Sequence, residues 1–200
     1  MPNWCRTDII FHGNDTELSA LYQHIKQCLS SGADLFDLLC NSAFVNRDVR
    51  YHTLELTDYI VTETDNAKFG LILETAWLPR CAIWVDIIKQ AGYKTVGFSY
   101  CGVEESNGVY HIYDEYGDFN LKYAVDMWLE GDDEGNDLLV EFMDISDYSS
   151  DEELRIALQR LLQTKESDLD LLIGQAMTYA FADENSYINI HTYKFLDEPQ

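Results

Sequence analysis

The sequence has few basic residues. Its 200 residues include 13 Lys and Arg against 36 Asp and Glu, which gives a net charge of −23. A protein that grips nucleic acid over its whole surface needs the opposite balance, so this class is excluded. Apolar residues make up 46% of the chain, which is enough to fill a core and excludes wholesale disorder.

Long apolar runs are also missing. No stretch of about 18 apolar residues occurs, so no segment is expected to span a membrane. Residues 1–5 lack the basic region and apolar run of a secretory signal. The five cysteines form no CxxC pair, which leaves zinc ribbons and iron–sulfur clusters without support and favours thiols in a reducing compartment. We therefore expect a cytoplasmic protein with no metal or other cofactor.

Signatures of common catalytic sites are missing as well. Neither GxGxxG nor GxxxxGK[ST] occurs, so no phosphate-binding loop is predicted. Residues 97–102 are one residue too long for a GxSxG nucleophile elbow. A Cys–His pair would require His111 or His191 beside Cys101. No catalytic residue is assigned, and the sequence favours a protein that is not an enzyme without deciding the matter.

The acidic residues are concentrated in the second half. Residues 1–100 carry a net charge of −4 and residues 101–200 carry −19. Between Glu104 and Glu153 there are 17 acidic residues, and Lys122 is the one basic residue. Hydrophobicity does not change between the halves, so the acidic half is still expected to fold.

Hydrophobic periodicity predicts an α+β fold. Two predicted helices, 16–30 and 80–91, alternate with strands at 6–12, 51–61, 69–77 and 94–101, and a further strand follows at 109–116. This βαββαβ order is that of a ferredoxin-like sandwich with an extra antiparallel strand. Strict alternation over 121–129 predicts one more strand.

The rest of the chain is predicted to form a C-terminal extension of two helices and a strand. Ser150 and Glu153 fit a capping box, a second helix is predicted over 168–181, and alternation over 187–195 predicts a terminal strand. We predict a sandwich over residues 1–130 and an acidic α+β extension over 131–200, which either forms its own domain or packs on the same core.

Three short motifs resemble the YubB ferredoxin-like family. They are MPNWC at residues 1–5, TAWLP at 75–79 and DEYG at 114–117, and the resemblance covers roughly residues 1–120. Proteins of this family are encoded mainly by plasmids and phages and have no established common activity. The resemblance therefore implies a βα sandwich and a mobile-element origin, and it supplies no catalytic residues.

The acidic stretch 130–141 partly fits a calcium-binding loop. Gly135 would stand at position 6 of an EF-hand, with Glu130 at position 1 and Glu141 at position 12. Both flanks have the pattern of strands rather than helices, which favours a solvated acidic hairpin.

The excess of carboxylates suggests a function that uses negative charge. Carboxylates on a rigid scaffold can imitate the phosphates of DNA. We therefore predict a mobile-element-encoded acidic protein that inhibits a host nucleic-acid-binding enzyme, as an anti-restriction or anti-CRISPR protein of the DNA-mimic type. The partner would be a basic nucleic-acid-binding protein or nuclease, with no direct contact to nucleic acid or membrane. The predicted contact residues are Glu104, Glu105, Asp114, Glu115, Asp118, Glu130, Asp132, Asp133, Glu134 and Asp137.

Two other functions stay open at this point. One is a small-molecule-binding or sequestering protein, or an enzyme, with a pocket between sheet and helices lined by Trp77, Tyr100, His111 and Tyr113. The other is a structural or assembly protein of a phage or plasmid. The sequence does not distinguish a DNA mimic from an inhibitor of a single target, and it leaves the oligomeric state open.

Overall fold

The computed structural model describes residues 3–33, 35, 50–62, 65–128, 146–180 and 186–200. Within these ranges the chain is α+β, as predicted, with four helices and two sheets. The helices are α1 (Asp15–Ser31), α2 (Ala82–Ala91), α3 (Asp151–Leu161) and α4 (Leu169–Ala180). The strands are β1 (Trp4–Asn14), β2 (Tyr51–Leu56), β3 (Ile60–Val61), β4 (Asn66–Ala76), β5 (Gly97–Glu104), β6 (Val109–Tyr113), β7 (Tyr123–Trp128), β8 (Ser146–Tyr148), β9 (Tyr187–Thr192) and β10 (Lys194–Phe195).

The chain forms two compact units. The first unit contains residues 1–119 and 194–200, and the second contains residues 120–193. The domain boundary predicted at residue 130 lies outside the described residues and stays a prediction. No helix among the described residues is both long and apolar enough to cross a membrane.

The first unit is built around a mixed sheet. Its strand order is β10-β6-β5-β1-β4-β2, with β3 also paired to β4. Each neighbouring pair is antiparallel except β10 and β6. Strand β1 lies near the centre because alternate residues such as Ile9 and Phe11 are buried, and burial of this kind favours an interior strand.

Both helices of the first unit bury the apolar stripes that the sequence predicts. In α1 the stripe includes Leu18, Leu21 and Ile25, and in α2 it includes Trp84 and Ile87; all pack in one core with β1. The side chain of Asn14 accepts the N–H of Glu17 at 2.9 Å and caps the start of α1. The predicted end of α2 is confirmed, because Gly92 has the left-handed φ of +75° that closes a helix.

Two predicted strands have different bounds in the structure. The strand predicted over 94–101 lies instead over 97–104. The strand predicted over 109–116 ends at Tyr113, because the carboxylate of Asp114 accepts the backbone N–H groups of Asp118 and Phe119 and turns the chain.

The prediction of one terminal strand over 187–195 is wrong, because the structure has two strands there, β9 and β10. Strand β9 pairs with β7 in the second unit, whereas β10 pairs with β6 in the first unit. Beyond β10 the N–H of Leu196 donates to the carbonyl of Ile112 at 2.8 Å. The N–H of Gln200 donates to the Tyr100 hydroxyl at 3.1 Å, and its carbonyl accepts the N–H of Ala82 at 2.8 Å. Residues 194–200 therefore belong to the first sheet and its helix α2.

Among its described residues, the second unit has a smaller antiparallel sheet and two helices. Its strand order is β8-β7-β9. Alternation along β7 places Val125 and Met127 in a core with Leu154, Leu158 and Leu172 of the helices, as the sequence predicts. The Ser150 hydroxyl accepts the N–H of Glu153 at 3.2 Å, which confirms the predicted cap of α3. Residues 34–40, for which the sequence also suggests a short turn of helix, lie outside the described residues apart from Leu35.

Candidate functional site

Five of the ten predicted contact residues lie among the described residues, and they form two separate groups. Glu104 and Glu105 lie at the loop of the β5–β6 hairpin, whereas Asp114, Glu115 and Asp118 follow the far end of β6. The register pairs Glu104 with Val109 and Tyr100 with Tyr113, so about 14 Å of strand separates the groups. The structure therefore does not bring these five carboxylates together in one patch.

Glu104 is not a surface charge. It is 2% exposed, and its two carboxylate oxygens accept the N–H groups of Ser106 and Asn107 at 3.0 and 2.9 Å. These bonds stabilise the 3-10 turn of residues 105–107 by satisfying donors that have no partner within the turn. Its predicted place on an exposed surface is corrected accordingly, and the exposed carboxylate at this end belongs to Glu105.

Asp114 organises the loop 114–119. Its carboxylate accepts the N–H of Asp118 at 2.9 Å and that of Phe119 at 3.0 Å. Burial alone would raise the pKa of Asp114, but these two bonds and a hydrogen bond from the Ser99 hydroxyl outweigh it and hold the pKa below the ordinary value. The carboxylate is therefore ionised and used within the loop.

The same loop is fastened to the central strand by Asp118. Its Oδ2 lies 2.7 Å from Nε2 of His12, and the side chain is 8% exposed. The rings of His12 and Tyr116 stack with centroids 4.3 Å apart. Asp118 therefore has a structural partner inside the first unit, and Glu115 is the exposed carboxylate of this group.

The other five predicted contact residues lie outside the described residues, in the segment 129–145. This 17-residue segment contains seven acidic residues and no Lys or Arg. It connects β7 to β8, which are hydrogen-bonded neighbours with Val125 opposite Ser146. The described residues that flank the acidic segment, Trp128 and Ser146, therefore both belong to the same small sheet. The predicted calcium loop falls in this segment too.

The second unit carries most of the negative charge of the chain. Residues 120–193 include 17 acidic and 4 basic residues, a net charge of −13, against −10 for the larger first unit with 19 acidic and 9 basic residues. Two of its four cations are engaged within the unit, since Lys122 pairs with Asp151 and Arg155 pairs with Glu152. These pairs add little stability, because both are exposed to solvent.

The first turn of α3 is acidic for a structural reason. A hydrogen bond from Lys122 lowers the pKa of Asp151, and one from Arg155 lowers the pKa of Glu152. The carboxylate of Glu153 accepts the N–H and hydroxyl of Ser149, which lowers its pKa as well. Negative charge at a helix N-terminus is stabilised by the helix dipole.

The register of the β5–β6 hairpin excludes a Cys101–His111 pair. Cys101 lies opposite Ile112 while His111 lies opposite Gly102, so Cys101 and His111 face opposite sides of the sheet. His191 belongs to β9 in the other unit. No cluster of His, Cys, Asp or Glu suited to a metal ion occurs among the described residues.

Two residues predicted to line a sheet–helix pocket, Tyr100 and His111, contact the C-terminal residue Gln200 instead. Tyr100 is buried and its hydroxyl is bonded to Gln200, and Leu196 packs against the core. Burial lowers the pKa of His111, which also bonds to Gln200. Trp77, by contrast, is 47% exposed and does not line a buried cavity.

A strained turn that the sequence does not predict lies between β4 and α2. Trp77 and Arg80 both have left-handed φ, +75° and +55°. Such a conformation costs a residue other than glycine about 1–2 kcal/mol, and backbone strain of this kind is concentrated at functional sites. A positive φ in Trp has no local sequence signal. The sequence predicts here only that a strand over 69–77 ends within the TAWLP motif of residues 75–79.

No known protein-family model matches this chain, and no curated protein matches it.

Proposed function

We propose that this chain is an acidic inhibitor that binds the basic nucleic-acid-binding surface of a host enzyme, a nuclease of the restriction or CRISPR type. The observation that carries the proposal is the acidic segment 129–145, with seven acids and no base, between two hydrogen-bonded strands of a unit with a net charge of −13. A groove built to hold phosphates presents arrays of Lys and Arg, and carboxylates can take the place of those phosphates.

The attachment of the segment supports this function. The strands on either side of the segment, β7 and β8, are hydrogen-bonded neighbours, so the segment is connected at both sides to the same folded sheet. A strong negative field also accelerates encounter with a basic partner. The interface is accordingly centred on Glu130, Asp132, Asp133, Glu134 and Asp137 of the second unit.

We interpret the first unit as a ferredoxin-like sandwich in a protein of plasmid or phage origin. The order β5-β1-β4-β2, with antiparallel neighbours and the helices α1 and α2 as connections, supports the topology. The mobile-element origin rests on the resemblance of residues 1–120 to the YubB ferredoxin-like family. An inhibitor of host nucleases would benefit such an element.

The test is affinity capture from a host lysate in low and high salt. Asp132, Asp133 and Glu134 are replaced together by Lys in one variant, and exposed Glu55, Asp58 and Glu198 are replaced by Lys in a control with the same change of net charge. We expect the wild-type protein and the control to retain a nuclease or other nucleic-acid-binding enzyme that salt releases. The first variant should lose it, with a Tm within about 2 °C of wild type.

The captured enzyme is then assayed on its DNA or RNA substrate. Inhibition by the wild-type protein and not by the Asp132/Asp133/Glu134 variant supports the proposal. Equal loss of capture in both variants would show that net charge alone is responsible. Retention of no basic protein at low salt would contradict the proposed function.

A further inference from the structure

Residues 194–200, which we call the strap, lie along the outer edge of the first sheet. Strand β10 pairs with β6, and this is the one parallel pair among the described strands of the sheet. The N–H of Leu196 continues the pairing by donating to the carbonyl of Ile112 at 2.8 Å. Only Leu196 and Pro199 are partly buried, and the other five residues of the strap are exposed. Few buried contacts hold the strap, and a segment of this kind belongs to the part of a fold that opens most readily.

Gln200 fastens the far end of the strap. Its N–H donates to the hydroxyl of buried Tyr100 at 3.1 Å. Its carbonyl accepts the N–H of Ala82 at 2.8 Å, at the start of α2, where Cys81 supplies no side-chain cap. Release of the strap would therefore leave one more unpaired donor in the first turn of α2 and would uncover the edge of β6.

His111 of β6 is next to both ends of the strap. It lies opposite Lys194 in the register, and its side chain is hydrogen-bonded to Gln200. Nδ1 of the ring is buried and has no hydrogen-bond partner among the described residues. A protonated imidazole carries an N–H on both nitrogens. While the strap is closed, protonation therefore leaves a buried N–H without an acceptor and places a positive charge beside Lys194.

Other charged and titratable groups surround the same ring. Alternation places Tyr100 and Glu104 on the face of β5 that His111 shares, because Gly102 between them is its partner. The groups on this face, in the turn before α2 and in the strap are Cys5, Arg80, Tyr100, Glu104, Tyr113, Lys194, Asp197 and Glu198. Burial raises the pKa values of Cys5, Tyr100 and Tyr113, so these three stay neutral in mild acid.

Burial and Lys194 both oppose protonation of His111. Together they hold the pKa of His111 below its ordinary value of 6.5, although the hydrogen bond to Gln200 acts in the opposite direction. The carboxylate of Glu104 is bonded to N–H groups of its own turn. The remaining charges of the strap and of the turn before α2 are exposed to solvent, which screens them.

We propose that the strap is an acid-sensitive device: it is closed while His111 is neutral, and protonation of His111 releases it. In the released state water solvates both ring nitrogens, so the released state takes up the proton at a higher pH than the closed state. By linkage, the closed state is fully favoured above about pH 6.5 and loses this advantage as the pH falls through the pKa of His111 in the closed state. This inference does not depend on the inhibitor proposal, which rests on residues of the second unit.

Amide hydrogen exchange followed by NMR tests the device. The N–H groups of Leu196 and Gln200 report opening of the strap, and those of Ile9 and Phe11 in the central strand β1 serve as the reference. Protection factors, corrected for the intrinsic pH dependence of exchange, are compared at pH 7.5 and pH 5. We expect the two strap groups to lose protection severalfold in acid, by at most about tenfold for each pH unit below 6.5, while the reference groups keep theirs.

Three variants identify the group that titrates. His111→Gln keeps a polar side chain that cannot become charged, so the strap should be equally protected at both pH values. Lys194→Met removes the neighbouring positive charge and should make the acid response smaller than in wild type. His24→Gln makes the same type of substitution at an exposed position of α1, outside the strap, and should respond like wild type.

Equal protection of the wild-type strap at pH 7.5 and pH 5 would overturn the proposal, and so would the same acid response in wild type and His111→Gln. If the strap of His111→Gln is unprotected at both pH values, Lys194→Met decides the matter. A smaller acid response than in wild type then supports the proposal, and an unchanged response overturns it.

Discussion

Nε2 of His12 lies 2.7 Å from Oδ2 of Asp118, and this contact joins two residues 106 positions apart. It fastens the loop 114–119 to the central strand of the first sheet, and the second unit begins directly after that loop. A carboxylate that the sequence suggests as a contact residue therefore serves the structure of the first unit.

Removal of this contact should destabilise the protein. Asp118→Ala leaves the half-buried imidazole of His12 without its carboxylate, and we expect a loss of about 1–3 kcal/mol in the free energy of unfolding. Urea denaturation followed by tryptophan fluorescence measures it. Asp8→Ala removes the exposed partner of Arg6 and should cost under about 1 kcal/mol. Equal costs for the two variants would contradict the role assigned to Asp118.

Gly97 is required for the approach of Tyr116. A Cβ atom at position 97 would collide with the hydroxyl of Tyr116, so Gly97→Ala should destabilise the protein by about 1–3 kcal/mol. In a Tyr116→Ala background the added methyl group meets no ring. The same substitution should then cost much less, and a double-mutant cycle measures the coupling. Additive effects would show that the two residues do not compete for space.

Substitution by alanine should have opposite effects on stability at Gly174 and at Gly92. Neither has an atom within 4 Å of an added Cβ, but Gly174 lies inside α4 whereas Gly92 has a φ of +75°. Gly174→Ala should stabilise the protein by about 0.5–1 kcal/mol, because alanine loses less conformational entropy in a helix. Gly92→Ala should destabilise it by about 1 kcal/mol or more. Thermal unfolding of both variants checks the signs.

Acid should weaken the first unit through Asp114. Its pKa in the folded protein lies below the ordinary value of 3.8, so the unfolded chain takes up the proton first. The stabilisation is fully present above pH 3.8 and is lost as the pH falls through the folded pKa. We expect Asp114→Asn to show a smaller drop in stability between neutral pH and that range. Denaturation curves at a series of pH values measure this, and identical pH profiles would contradict it.

Two buried thiols should resist alkylation in the folded protein. Burial raises the pKa of Cys5 from 9.0 to about 12, and burial also raises the pKa of Cys81 well above its ordinary value. The thiolate is the reactive form, so iodoacetamide at pH 8 should modify both residues only after unfolding. Their contribution to stability is present below pH 9 and falls as the pH rises toward 12. Peptide mass spectrometry with and without denaturant provides the measurement, and rapid labelling of the native protein would contradict it.

The local elements followed from the sequence because their signals are local. The spacing of Leu18, Leu21 and Ile25 predicts the buried face of α1, and Gly92 marks the end of α2. The alternation that places Val125 and Met127 in a core predicts β7. Each of these signals is contained in a few neighbouring residues, so a single sequence is enough to detect it.

Tertiary structure alone decided which polar groups are available at the surface. Glu104 and Glu105 are adjacent, yet one is buried in a turn and the other is exposed. The pairing of Asp118 with His12 and of Gln200 with Tyr100 joins residues 106 and 100 positions apart, and the alternation of 187–195 gave no sign that its last residues would return to the first sheet. The sequence by itself determined the helices, most strands and the negative charge, because periodicity, caps and composition act within a few residues. The burial of a carboxylate and the left-handed Trp77 depend on what distant segments pack against, and only the folded chain brings those segments together.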